Sequence, residues 1–178
     1  MPPNTYTWIS AWFLLSTPGC LMGCLLLPRS MVGGDLHWIW EPYGLYQEID
    51  YVYGIKALQE NNGFTSAQAL LNLIEIALNI FYVYLAHVAK YPAASLVGFA
   101  SATMTLSKTI LYGAQEYYCN FCATGHNDLK TWVVYYIIPN GFWIVVPTLI
   151  VFKLGKDIAS SIDVAARDLR KRAKGKEQ

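Results

Sequence analysis

Long apolar segments, separated by short polar stretches, dominate the pattern of hydrophobic positions along the chain. Four of them approach the roughly 20 residues that an α-helix needs to cross the hydrocarbon core of a bilayer. They are residues 8–27, 64–88, 93–115 and 131–151. The first is almost free of charge, and the other three carry isolated polar residues. The pattern predicts an all-α integral membrane protein built as a four-helix transmembrane bundle.

Composition favours the membrane over a soluble helical bundle. The chain is 54% hydrophobic and only 14% charged, whereas soluble domains carry about 25% charged residues. A soluble bundle would also need a polar outer face, which these segments lack. We expect one membrane domain over residues 1–155, followed by a basic tail over residues 156–178.

Helical spacing collects the polar residues of the second segment on one face. Positions three and four apart share a face of an α-helix. The stripe comprises Gln68, Asn72, Glu75, Asn79 and Tyr82. The rest of this segment is Leu, Ile, Ala, Phe and Val, so the stripe is expected to face the interior of the bundle.

The third and fourth segments carry similar stripes. In the third segment the polar residues are Ser101, Thr105, Lys108, Tyr112 and either Gln115 or Glu116. In the fourth they are Trp132, Tyr136, Asn140 and Trp143. At about 1.5 Å of rise per residue, Glu75, Asn140 and Lys108 lie roughly 16, 13 and 10 Å below the same end of the bundle. This convergence predicts a polar-floored pocket walled by aromatic and aliphatic side chains.

Two interpretations of the charged residues in these stripes stay open. Glu75 and Lys108 either face a cavity or form a buried ion pair, because each costs about 2.5–3.5 kcal/mol at the centre of a spanning helix. An ion pair would make Glu75 a poor proton donor and suit it to stabilising positive charge. Asn72 and the other neutral polar residues could simply bond neighbouring helices.

Charge outside the apolar segments predicts the orientation. Residues 28–63 carry five acids and two bases, whereas the chain after Val151 carries eight bases and four acids. The positive-inside rule places both termini in the cytoplasm. The final KGKEQ has the spacing of a dilysine retrieval signal, which indicates the endoplasmic reticulum membrane. Nucleic-acid binding is not expected from a basic run beside a membrane.

The loop between the third and fourth segments contains Cys119 and Cys122 in a C-x-x-C pattern, with His126 nearby. A zinc site needs about four ligands, and the sequence offers no clear fourth. A disulfide in an oxidising lumen fits better, and two free thiols stay open. No metal or cofactor is expected.

Several longer stretches resemble the EXPERA family, whose members include emopamil-binding protein, which is the sterol Δ8–Δ7 isomerase, and the sigma-two receptor. They are PYGLYQEIDYVYG, GFTSAQALLNLIE, LYGAQEYY and GHNDLKTWVVYYIIPNGFWIVVP, and they cover most of residues 40–148. The chain is most similar to short fungal members. The resemblance implies a four-helix membrane fold with a sterol or similar lipid as ligand.

The resemblance also implies roles for single residues. Glu75, Asn140 and Trp143 match residues that line the family's sterol site. Asp50 and Glu116 match acidic residues next to the second and third spans of the family domain. The family's His–Glu pair, one turn apart in its first helix, has no counterpart in LLSTPGCLMGCLLL.

These observations favour an isomerase of a sterol or terpenoid-like lipid, with proton transfer and carbocation stabilisation in an intramembrane pocket. Glu75, Glu116 and Asp50 are the candidate catalytic residues. Lipid-binding candidates are Asn140, Trp143, Asn79, Tyr136, Lys108, Tyr112 and Asn72. The alternatives are a non-catalytic lipid binder resembling the sigma-two receptor and an isomerase or cyclase of fungal specialised metabolism. The expected partners are the lipid and the membrane, and a homodimer is possible.

Overall fold

Helices account for nearly all of the residues that the structure describes. The computed structural model describes residues 5–25, 46–53, 59–60 and 62–174, with the backbone alone for 19–25. Within these ranges there is no β-strand. The long helices are α1 (Thr7–Leu25), α2 (Phe64–Val88), α3 (Ala94–Tyr118) and α4 (Leu129–Lys174). The predicted all-helical fold is confirmed for this part of the chain.

Two of the described helices are long and apolar enough to cross a membrane, namely α2 and α4. Large apolar side chains also cover the outside of the molecule. Leu15 and Phe152 are 77% and 73% exposed, and extended apolar surface of this kind marks contact with lipid or another protein. This surface is consistent with a membrane protein.

The helices pack around an apolar core near the end of the molecule at which α4 leaves the bundle. Four helices contribute to it, since Phe13 of α1, Tyr82 of α2, Ala102 of α3 and Leu154 of α4 are all buried there. Phe13 and Tyr82 meet edge to face with ring centroids 4.9 Å apart. We call this the tail end of the bundle.

The opposite end is covered by two short segments, which we call the roof: residues 46–53 and 119–128. The first segment ends in a 3-10 turn, Tyr51–Tyr53. The second connects α3 to α4 and contains two non-glycine residues with positive φ, Asn120 and Phe121. These conformations reverse the chain sharply after α3.

Pro139 does not break α4, although proline within a helix usually does. A π-helical turn, Val133–Ile137, lies directly before the proline. Ile138 N–H bonds to the carbonyl of Val133, so the ladder has already shifted by one residue where the proline lacks its donor. The helix then runs through Pro147 to Lys174.

Helix α4 is far longer than the predicted segment 131–151. With 46 residues it measures about 69 Å, roughly twice the thickness of a hydrocarbon core. The basic tail is therefore largely a continuation of α4. The last residues of the dilysine pattern and the end of the first predicted span lie outside the described residues.

Candidate functional site

A ladder of polar side chains fills the interface between α2 and α3. The two helices run antiparallel, and their polar stripes face each other. We call this set the polar ladder; its members are Gln68, Asn72, Glu75 and Asn79 on α2, and Ser101, Thr105 and Lys108 on α3. All but Asn72, which is half-buried, are buried. Helical spacing of three and four residues aligns them on each helix.

An ion pair forms the centre of the polar ladder. The Glu75 carboxylate lies 2.5 Å from the Lys108 ammonium, with the side chains 1% and 9% exposed. The same ammonium donates to the side-chain oxygen of Asn72. A charge so deeply buried needs a partner of opposite sign. Of the two interpretations the sequence left open, the structure shows the pair.

Hydrogen bonds on either side extend the ladder. Gln68 Nε2 donates to the carbonyl oxygen of Lys108 at 3.3 Å. Ser101 Oγ donates to Asn79 Oδ1 at 2.6 Å. Two buried polar atoms, Asn79 Nδ2 and Tyr112 Oη, have no hydrogen-bond partner among the described residues. They are the atoms beside the ion pair that a ligand hydroxyl or carbonyl could satisfy.

An apolar groove of about 600 Å³ lies along α3, with Leu71 of α2 at its side. Leu71, Phe99, Met104 and Leu111 form its walls, and Lys108 also lines it. Because these walls are hydrocarbon, the groove suits the chain or ring system of a lipid. A ligand lying in it would contact the ammonium.

The candidate residues on α4 are divided between two neighbours. Tyr136 packs against Tyr112 of α3 with ring centroids 5.6 Å apart. Asn140 Nδ2 donates to the carbonyl of Tyr136 in its own helix at 2.8 Å. Trp143 meets Trp12 of α1 edge to face at 5.1 Å. Tyr136 therefore packs against α3. The described contacts of Asn140 and Trp143 are with Tyr136 and Trp12, and not with Glu75.

A second acidic site lies beneath the roof. Glu116, near the end of α3, is 1% exposed. Its carboxylate accepts from the backbone N–H groups of Ala123 and Thr124 at 3.2 and 3.1 Å, and from the Thr124 hydroxyl at 2.7 Å. Trp132 Nε1 donates to that hydroxyl oxygen at 3.1 Å. Glu116 thus fixes the fold of the loop that follows α3.

Asp50 lies close to Glu116 but in a poorer environment for a charge. It is completely buried, and one carboxyl oxygen accepts from Val52 N–H at 2.9 Å. The other oxygen has no hydrogen-bond partner among the described residues. Burial raises the pKa of Asp50 to about 7 against the lowering effect of the Val52 bond, and the nearby charge of Glu116 adds to the rise. Asp50 is therefore a carboxyl group able to exchange a proton near neutral pH.

The two roof segments are bonded to each other. Asn127 Nδ2 donates to the carbonyl of Ile49 at 2.7 Å, and Tyr51 N–H donates to the carbonyl of Ala123 at 3.2 Å. The His126 ring stacks on Tyr51 at 3.9 Å and bonds to the carbonyl of Glu48 at 2.6 Å. His126 consequently holds the roof closed and does not reach the polar ladder.

Cys119 and Cys122 form a disulfide. Among the alternatives left open by the C-x-x-C pattern, this is the one the structure contains. Both sulfurs lie close to Glu116, but a disulfide offers no thiolate to a metal. The bridge tightens the turn from which Ala123 and Thr124 donate to Glu116.

The ladder and the acidic site are separate along α3. Glu116 follows Lys108 by eight positions, which is about 12 Å of helix. Tyr112 lies midway on the same face and is buried. Together with Tyr136 it forms an aromatic layer between the two sites.

Thr124 and Trp132 were missed as partners of Glu116. The chain does offer a signal for Thr124, because a hydroxyl residue in a tight loop often bonds a nearby backbone or carboxylate. Nothing in the sequence indicates which carboxylate accepts the hydrogen bond of Thr124. Comparison with known proteins adds no relative, since no family model and no curated protein matches the chain.

Proposed function

We propose that this chain is a four-helix integral membrane protein of the EXPERA type, with both termini in the cytoplasm and the endoplasmic reticulum as its membrane. In this arrangement α1, α2, α3 and the first part of α4 are the spans. Support comes from the apolar outer surface and from the basic residues concentrated in the α4 extension. The roof then lies on the lumenal side, where a disulfide persists.

The function we propose is isomerisation of a sterol or terpenoid-like lipid. The observation that carries it is a buried Glu–Lys pair whose lysine also lines an apolar groove on the side of the bundle. Lipids enter a membrane protein laterally, and a groove with hydrocarbon walls and one polar contact point fits a molecule with one polar group.

The reaction moves a double bond through two proton transfers. An acid protonates one alkene carbon, and the cation formed loses a proton from a neighbouring carbon to a base. No cofactor is consumed. Glu75, which is already engaged by Lys108, acts as the anion that stabilises the cation, assisted by the faces of Tyr112 and Tyr136. Asp50, with its pKa of about 7, supplies the proton, and the carboxylate left behind takes up the proton that the cation loses.

A second function, binding of the lipid without reaction, is favoured by one observation. Glu75 is already paired with Lys108. Asp50, the carboxyl group able to donate a proton, lies under the roof on the far side of Tyr112. In that case Asn79 Nδ2 and Tyr112 Oη hold the lipid hydroxyl, and no proton moves. The outcome of this function is a bound lipid whose double bonds are unchanged.

Microsomes containing the protein and a Δ8-sterol test these functions. Isomerisation predicts a Δ7-sterol product, lost at least tenfold in Glu75→Gln and in Asp50→Asn. It should be retained in Asp128→Asn, which changes an exposed acid of the other roof segment. Sterol binding that persists without turnover over a panel of sterols and terpenoids establishes the binding function instead. Absence of both turnover and binding disproves the assignment to lipids.

A further inference from the structure

A second groove lies at the tail end of the bundle, away from the polar ladder. It has a volume of about 480 Å³ and is lined by Trp8 of α1 with Leu149, Phe152, Lys153 and Lys156 of α4. The four α4 residues are spaced three and four apart, so they form one face of the helix. Trp8, in the first turn of α1, forms the remaining part of the lining.

Polarity changes along the length of this groove. Leu149 and Phe152 come first along α4, and both are more than half exposed. Lys153 and Lys156 follow, so that the groove passes from hydrocarbon walls to ammonium groups within about 10 Å. Trp8 is partly exposed, and tryptophan concentrates at the boundary between hydrocarbon and headgroups. The groove is therefore apolar at one end and positively charged at the other, which matches the acyl chain and the anionic headgroup of one lipid molecule.

Contacts with Tyr6, directly before α1, and with Asp157 of α4 hold one of the two lysines. The Lys153 ammonium lies 4.6 Å from the centre of the Tyr6 ring and 3.8 Å from Asp157 Oδ1. The Tyr6 hydroxyl donates to the other oxygen of Asp157 at 2.7 Å. Asp157 therefore offsets part of the Lys153 charge. Lys156 forms no ion pair within the described part of the chain, so its positive charge is not neutralised there.

We propose that this groove is a binding site for one anionic phospholipid. Its acyl chain lies along Leu149 and Phe152, and its phosphate contacts Lys153 and Lys156 beside Trp8. Charge complementarity selects this occupant, because both ionisable side chains lining the groove are basic. In the orientation proposed above, the groove faces the cytoplasmic leaflet, whose lipids carry the anionic headgroups.

Lipid retention by the full chain tests the site. The protein is reconstituted in phosphatidylcholine with a minor fraction of phosphatidylserine, extracted in detergent, and the bound lipid is measured by native mass spectrometry. We expect phosphatidylserine to be retained preferentially. Lys156→Gln should lower that preference about fivefold, and Lys153→Gln/Lys156→Gln further. The charge-preserving Lys153→Arg/Lys156→Arg variant should retain it.

The matched control is Lys171→Gln/Lys174→Gln, which removes two charges from the same helix outside the groove. An equal loss of preference in this variant would show that the tail attracts acidic lipid diffusely, and would overturn the proposal. So would retention of phosphatidylcholine and phosphatidylserine in equal amounts by the unaltered protein. Trp8→Ala/Phe152→Ala keeps both lysines, and we expect it to weaken retention of phosphatidylserine. An unchanged preference in this variant would contradict an acyl chain in the groove.

Discussion

At the scale of single residues, the Glu75–Lys108 pair matters most, because it brings two buried side chains of opposite charge into contact. Removing one member of such a pair leaves the other charge buried alone, which usually costs about 3–5 kcal/mol. Removing both leaves an uncharged interface. The effects of the two substitutions should therefore be strongly non-additive.

We predict that Glu75→Gln and Lys108→Met each lower the thermal stability of the purified protein. The double variant should lose less stability than the two single variants lose together. The coupling should be about 1–3 kcal/mol. Thermal unfolding in one detergent measures it. The control is Lys130→Met, an exposed lysine near the roof, which should have no effect. Simple additivity of Glu75→Gln and Lys108→Met would contradict the ion pair.

Asp50 gives the roof a dependence on pH whose direction follows from its raised pKa. The folded protein holds this proton up to about pH 7, whereas an unfolded chain releases it near 3.9. The folded state thus binds more protons between these values, so stability contributed by Asp50 is complete below the lower pKa and is lost as pH rises.

We therefore predict that the wild-type protein loses stability relative to Asp50→Asn as pH rises from 5 to 7, by about 1.4 kcal/mol per pH unit at most. The measurement is the difference between the melting curves of the two proteins across that range. Asp128 provides the control, since hydrogen bonds from the Thr131 hydroxyl and backbone lower its pKa. Asp128→Asn should show no such slope between pH 5 and 7. A flat difference for Asp50→Asn would refute its raised pKa.

At the scale of elements, the close packing of α3 depends on one glycine. A Cβ on Gly98 would lie 2.7 Å from Cδ2 of Tyr82 and 2.9 Å from Cδ1 of Leu154. Both neighbours are buried in the tail-end core, so they have little room to move. Gly113 lies in the same helix, and a Cβ there would meet nothing within 4 Å.

This contrast predicts opposite results for the same substitution. Gly98→Ala should destabilise the protein by about 1–3 kcal/mol through overpacking. Gly113→Ala should be neutral or stabilise it by up to about 1 kcal/mol, because alanine is the better helix former. Thermal unfolding of both variants provides the comparison. Equal effects would show that α3 does not approach α2 and α4 as closely as the structure indicates.

The spacing of polar residues along the sequence predicts which face of each helix is buried, but it does not predict how the helices contact one another. Spacing of three and four residues places Glu75 and Lys108 on the interior faces of α2 and α3, because that depends on each helix alone. Their contact depends on the register between two helices, which spacing within one helix does not determine. The roof brings Asp50 near Glu116, which is more than 60 residues away in the sequence, and this proximity is a tertiary effect. The π-helical turn before Pro139 is local, but no periodic pattern in the sequence indicates it.

At the scale of the whole molecule, the length of α4 sets a geometric test of the proposed orientation. A helix of about 69 Å cannot lie wholly within a hydrocarbon core of about 30 Å. The part of α4 from Arg167 to Lys174, which carries five basic residues, must then extend into water beyond the tail end. The roof must lie on the opposite side of the membrane, because the first part of α4 separates the two.

Cysteine labelling in sealed microsomes tests that orientation. With Cys20 and Cys24 replaced by Ala, and Cys119 and Cys122 in their disulfide, Ser160→Cys should react with a membrane-impermeant maleimide without permeabilisation. Lys130→Cys, at the roof, should react only after detergent is added. The reverse pattern would invert the topology. Immediate reaction of both would place the two ends of α4 in the same compartment, which a helix that crosses the membrane once does not allow.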